Sequence, residues 1–318
     1  MSVSSWRDWH RPLVCLSAVT AVLAVVSTAG LVLDDRVLVG SPIWLKPWKF
    51  SVSFTAYCMT LAWMLSLLPR GRRAVWWAGT VVAVASAVEM AVITGQVIRG
   101  RRSHFNQETA FDAMLFNVMG MTIVVLWGAT VVIAVALWRS GTADRAGTWA
   151  IRLGTVLALA GAGLGFLMTL PVPGQVRPDD TVSGAHSVGV ADGGPSMPLT
   201  GWATTGGDLR VPHFVGMHAL QLLPLLLVLL AALAPRLPRL RDPRVRLRLV
   251  LTASGAYAAV LALLTWQALR GQPLIHPDGA TLGAAALILV GAAAGTAAAL
   301  RPNRPAPEAA GNDKELVA

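Results

Sequence analysis

The chain has 318 residues, of which 55% are hydrophobic and 13% charged, with a mean hydropathy of +0.60. Soluble domains carry about 25% charged residues, so the composition argues against a water-soluble fold and makes the lipid bilayer the main solvent. The net charge of +10 gathers on alternate loops, where topology and anionic lipid account for it, and this argues against nucleic acid as a partner.

Apolar runs of about 20 residues, enough to cross about 30 Å of hydrocarbon as helix, are predicted at 12–33, 48–68, 74–98, 111–138, 150–170, 212–234, 248–269 and 280–300. The expected fold is therefore all-α: a polytopic integral membrane protein with eight transmembrane helices as two tandem four-helix halves, 1–149 and 150–300. A Pro-, Ala- and acid-rich tail, 301–318, is expected to be a disordered cytoplasmic segment. Alternate loops sort 17 of the 26 Lys and Arg residues to one side, which places both termini in the cytoplasm and the chain in a bacterial cytoplasmic (inner) membrane. The first run follows a short basic start but is long for a signal peptide, so it reads as a retained helix. Cys15 and Cys58 fall inside apolar runs and suggest neither a disulfide nor a metal motif.

The second run opens with Lys46-Pro47-Trp48-Lys49-Phe50, two cations one helical turn apart at its outer mouth. The third carries Glu89, Gln96 and Arg99 on one helical face. Glu89 lies about 15 Å below Arg99 at 1.5 Å per residue. Ionisable groups at that depth normally face a bundle interior or a cavity, so Glu89 is the candidate catalytic or proton-handling residue. The bland alternative is a structural hydrogen bond to Ser53, Tyr57 or Thr60 of the second run. Arg99, Arg101 and Arg102 depart from the positive-inside trend. With His104, Asn106, Gln96, Lys46 and Lys49 they form a candidate site for a phosphate, a carboxylate or another anionic small molecule, or else they contact outer-leaflet phosphates.

The outer loop 171–211 is long and rich in Gly, Pro and Asp, as lids and binding loops often are, and it carries His186. The sixth run begins Asp208-Leu-Arg210-Val-Pro212-His213. His213 and His218 lie about 140° apart round the helix, so a ligand held by either requires a partner from another helix, for which His276 before the eighth run is the candidate. Bis-histidine coordination of a haem between helices needs this arrangement, with Arg210 or Arg270 meeting the propionates. A lone histidine is more often a packing residue.

Gln96-x-x-Arg99-Gly100 returns as Gln267-x-x-Arg270-Gly271, 171 residues later at the end of the seventh run. Each copy is followed by a histidine, which suggests an internal repeat and adds Gln267 to the candidate polar set. A fainter echo joins Lys46-Pro47-Trp48-Lys49-Phe50 to Val211-Pro212-His213-Phe214.

The KPWKF phrase, Gln96-x-x-Arg99-Gly100-x-x-Ser103-His104-Phe105-Asn106 and Gly206-Gly-Asp208-Leu-Arg210-x-x-His213-Phe-x-Gly216-x-His218-Ala-Leu-Gln221 resemble a family of uncharacterised bacterial multi-pass membrane proteins. The resemblance covers residues 40 to 225 and implies polar motifs on one membrane face. A looser likeness is to haem A synthase, also built from two four-helix halves, matched in kind by Gly184-Ala-His186 and by His213 or His218 with His276. The chain departs from it where Lys46 and Lys49 stand in place of a Glu and a His.

Three functional readings follow. The first is a haem-binding or redox-active membrane protein with a second site for a quinone or substrate. The second is a proton-coupled permease, or a lipid- or anion-handling protein. The third is a non-enzymatic sensor or assembly partner. Nothing in the chain reads as a phosphate loop, a nucleophile with its base or a carboxylate-rich metal box.

Overall fold

The computed structural model describes residues 9–68, 73–141, 144–170, 172–177 and 179–301. The expected tail, from residue 302 on, lies outside the described residues. Among these residues eight long α-helices follow one another: α1 Arg11–Leu33, α2 Leu45–Ser66, α3 Arg73–Ile98, α4 Ala110–Arg139, α5 Arg145–Leu164, α6 Arg210–Leu233, α7 Pro243–Leu269 and α8 Gly279–Ala299. A 3-10 turn, Gly165–Met168, prolongs α5. All but α2 are long and apolar enough to cross a membrane. The protein is thus an all-helical, multi-pass membrane protein. The 22-residue α2 packs among the others, but Lys46, Lys49 and its run of hydroxyl residues make it less apolar.

Several helix N-termini are closed by side chains, which satisfy end groups that have no intrahelical partner. Thr109 caps α4, Asp242 caps α7 and Asp278 caps α8. His10 caps α1 through Nδ1 and reaches the Trp76 carbonyl through Nε2 at 2.9 Å, so this histidine ties α1 to α3.

The pairs α1–α2 and α3–α4 pack closely, as do α5–α6 and α7–α8. Further contacts join α2 to α3, α1 to α3, α6 to α7 and α5 to α7. The two sets of four touch through α4–α5 and α2–α6. The main core lies in the first set, around Leu13, Cys58, Leu61, Met64, Val82 and Ile133.

The two Gln-x-x-Arg-Gly phrases end α3 and α7 in the same way. Gly100 and Gly271 both take a left-handed φ, 68° and 71°, as the C-terminal turn of a helix needs. Gln96 Nε2 donates to the Arg102 carbonyl and Gln267 Nε2 to the Pro273 carbonyl, each six residues ahead. Arg99 then bonds Asp112 in the first turn of α4, and Arg270 bonds Asp278 at the cap of α8.

The tightest crossing is α5 on α6. A Cβ at Gly161 would overlap the Gly216 backbone, and one at Gly154 would come within 2.9 Å of the Ala219 carbonyl. Small residues let membrane helices approach until their backbones touch.

Among the described residues four short strands shape one end of the bundle: β1 Val37–Leu38 with β2 Ser41–Pro42, and β3 Ser187–Val188 with β4 Gly207–Asp208, both pairs antiparallel. The β1–β2 turn at Gly40, φ 69°, meets the Gly193 backbone so closely that no side chain fits between them. The α1–α2 connection and the long α5–α6 connection therefore form one roof.

Gly161→Leu is expected to cost about 1–3 kcal/mol or more by forcing α5 from α6, seen as a lowered denaturation midpoint in detergent. Gly120→Ala, where an added Cβ meets nothing within 4 Å, should leave the midpoint unchanged or slightly raised.

Candidate functional site

Beneath the roof, between the two sets of four helices, lies a cavity of about 920 Å³. The side chains that give it its chemistry come from α2, α3, α6, the α3–α4 connection and the roof.

Pro47 and Pro212 sit in the first turns of α2 and α6, where a missing N–H costs nothing. The side chains beside them point into the cavity: Lys46, Lys49 and Phe50 from α2, and Arg210, His213 and Phe214 from α6. Arg210 forks onto Asp208, Nε to Oδ1 at 2.9 Å and Nη2 to Oδ2 at 2.6 Å, and also donates to the Gly201 carbonyl. Arg101 and Arg102 both face Glu108. Each lining arginine therefore has an acid. The lysines do not: Lys49 Nζ donates only to the Thr200 carbonyl, at 2.5 Å, and Lys46 makes no hydrogen bond or ion pair among the described residues.

Glu89 is 1% exposed and lines the same cavity. Its Oε1 accepts from Thr122 of α4 at 2.5 Å, and Oε2 has no partner among the described residues. The structural alternative read from the sequence looked to α2 for that partner. Instead Tyr57 bonds Thr130 of α4, and Thr60 bonds the Ala56 carbonyl of its own helix. The reason is packing, since α3 lies more closely along α4 than along α2. A buried carboxyl oxygen without a donor is costly, and this one lies where a ligand or a proton can satisfy it.

Three histidines complete the wall, each held at Nδ1. His104 Nδ1 lies 3.1 Å from Ser103 Oγ, His186 Nδ1 2.6 Å from Asp192 Oδ2, and His213 Nδ1 2.9 Å from the Gly161 carbonyl. A carboxylate and a carbonyl accept only, so His186 and His213 donate from Nδ1 and keep a lone pair on Nε2 when neutral. Phenylalanines join the rings edge to face, from His213 through Phe214 and Phe50 to His104, then through Phe105 to His186, with centroids 4.9–6.4 Å apart.

Burial pushes the His104 imidazole well below its ordinary value, and the nearby charges of Lys46, His186 and His213 add to this. Burial lowers His186 as well, with Asp192 opposing. The Asp192 carboxyl sits below its usual range despite burial, because His186 and the backbone N–H groups of His186 and Ser187 favour its charged form.

The structure thus brings Lys46, Lys49, Glu89, Arg101, Arg102, His104, His186, Arg210 and His213 to one cavity. The other sequence candidates stand outside its lining. Gln96, Arg99 and Asn106 form a closed network with Asp112 and the Arg102 carbonyl, and Gln267 is buried against Pro273. Arg270 is stacked on Trp266 and bonded to Asp278. His218 lies along α6 away from the lining, and His276 is exposed in the α7–α8 connection. The His276 pairing with His213 or His218 is therefore not assembled around the cavity. His186 and His213, which both line it, are the residues whose chemistry suits a haem iron. Among the described residues no group of three or more His, Cys, Asp or Glu side chains is placed to hold a metal ion.

Asp192 and Thr122 were not singled out in the sequence, and Phe50, Phe105 and Phe214 were met there only as motif letters, not as the rings that join the histidines. Only Asp208, two residues before Arg210, had a local signal. No family model, curated protein or solved structure matches the chain.

Because His104 and His186 bind protons less readily folded than unfolded, stability is fully present above the unfolded value of about 6.5 and falls as the pH drops below it. Asp192 loses its contribution only at much lower pH. The thermal midpoint of the purified protein should decline between pH 7.5 and pH 5, and His104→Gln should flatten that slope. An equal slope in the variant would show that His104 is not held neutral.

Proposed function

We propose that the protein is an anion-handling permease of the bacterial cytoplasmic membrane, whose cavity captures an anionic small molecule on Lys46 and Lys49 while Glu89 exchanges a proton with it. The observation that carries this reading is that, among the described residues, two lysines that make no ion pair share one cavity with a buried carboxyl oxygen that has no donor. An anion entering neutralises the lysines. A proton on Glu89 satisfies Oε2, so the two events favour each other through their shared field.

The chain crosses the membrane eight times in this reading, as two tandem halves. Support comes from the matching ends of α3 and α7, from the same neighbour pattern within each set of four helices, and from Phe50 and Phe214, which close the fainter echo and meet edge to face. The excess of Lys and Arg on the opposite loops supports a cytoplasmic location for both termini and an outward cavity.

A second reading, a haem site, draws support from His186 and His213, whose Nε2 lone pairs are free once Nδ1 is engaged. A bound haem would supply one-electron chemistry. The chain would contribute the two imidazoles, with Asp192 holding one ring and the Gly161 carbonyl the other.

Methyl phosphate titrated into the purified protein is expected to bind, with affinity reduced tenfold or more in Lys46→Met and with weaker pH dependence in Glu89→Gln. An absorption spectrum taken oxidised and then reduced with dithionite decides against the second reading if it lacks a Soret band after expression with ample haem. A Soret band that His213→Ala abolishes, with no methyl phosphate binding, replaces the first reading by the second.

A further inference from the structure

The cavity is not closed on all sides. Along α4, Asn117, Gly120, Met121 and Val124 fall on one helical stripe, at spacings of three, four and seven, and all four line it. They are exposed as well, Met121 by 66% and Val124 by 51%. Facing them across the gap, Ala162, Gly165 and Phe166 from the end of α5 and its 3-10 turn line the same space. Below, the gap is shut: Trp127 Nε1 donates to the Leu159 carbonyl at 3.1 Å, and its ring lies 6.4 Å from that of Phe166. The opening is therefore a window between α4 and α5, with a tryptophan sill.

Its height decides what it faces. Met121 stands eleven residues into α4, about 16 Å along the axis, within the roughly 30 Å of hydrocarbon. A window at that level opens to lipid chains, not to water. The cavity behind it changes character along its length: Lys46 and Lys49 stand under the roof, while at the level of the window Phe116, Met119 and Phe166 line it together with Asn117 and Glu89, whose Oε1 meets Thr122 beside Met121. A free inorganic anion uses only the first of these regions.

We infer that the occupant is a membrane amphiphile, an anionic head group on a long apolar chain, which enters sideways from the bilayer between α4 and α5. Its head lies on Lys46 and Lys49 and its chain leaves through the window at Gly120, Met121 and Val124. This rests on the anion-binding reading above and narrows it from any small anion to a lipid-borne one. Charge complementarity fixes the head group's sign, and the depth of the window fixes the chain.

The test is titration of the full chain in nanodiscs with dodecyl phosphate and with methyl phosphate, against empty nanodiscs. Dodecyl phosphate is expected to bind at least tenfold more tightly. Gly120→Trp, at a position where an added Cβ meets nothing within 4 Å, should block the window and reduce dodecyl phosphate affinity tenfold or more without changing that for methyl phosphate. Val124→Trp serves the same purpose should the first variant fail to fold. Lys46→Met should weaken both ligands. Equal affinities for the two phosphates, or dodecyl phosphate binding indifferent to both tryptophan variants, would overturn lateral access and leave the anion cavity standing. Binding of neither phosphate would overturn both.

Discussion

Hydrocarbon offers a polar group no hydrogen-bond partner, and that single constraint sorts the polar residues of this protein into two kinds. Most are closed within the chain. Gln96 and Gln267 turn back on carbonyls six residues ahead, Arg99 and Arg270 meet acids at the next helix, and His10 bridges α1 and α3. These groups complete the helix ends. Among the described residues others are open, the Ser86 hydroxyl and the Gln221 carbonyl oxygen among them, and two of the open groups line the cavity: Lys46 without an ion pair and Glu89 with an unpartnered oxygen. Leaving either unsatisfied is costly, and both lie on one cavity.

The cavity's form follows from backbone contacts more than from side-chain packing. Where α5 and α6 touch at Gly161 and Gly216, the Gly161 carbonyl comes within reach of His213 Nδ1 and so fixes which ring nitrogen looks inward. The same logic recurs at the roof, where Gly40 against Gly193 joins two connections distant in sequence. Lys49 adds a bond to the Thr200 carbonyl across 151 residues. Substituting these glycines is therefore expected to reshape the cavity without altering any of the polar side chains that line it.

Much of the frame was legible in the sequence. A run of apolar residues must be helix in lipid, so α1, predicted at 12–33, is Arg11–Leu33, and α8, predicted at 280–300, is Gly279–Ala299. Glu89, Lys46, Lys49 and His213 were legible for a related reason, since charge or imidazole near the membrane is rare enough to stand out. Their partners were not. Periodicity says which face a residue occupies but not which helix lies opposite, so Thr122 was hidden behind Tyr57, and Asp112 and Glu108 were not seen as the acids that occupy Arg99, Arg101 and Arg102. His276 and His186 illustrate the same limit. Both stand in connections between helices at the same end of the bundle, and only the path of the α5–α6 connection decides that His186 lines the cavity while His276 stays outside.

The bond between Lys49 and Thr200 also has a meaning in time. A ribosome adds roughly 5–20 residues per second, so α2 and α3 are made seconds before residues 186–214, which supply the later part of the roof and the last wall. During that interval Lys46, Lys49 and Glu89 lie without their final surroundings, and any chain released early keeps them so. The completed cavity is thus a record that synthesis reached α6 and that its late-made walls docked on helices already in the bilayer.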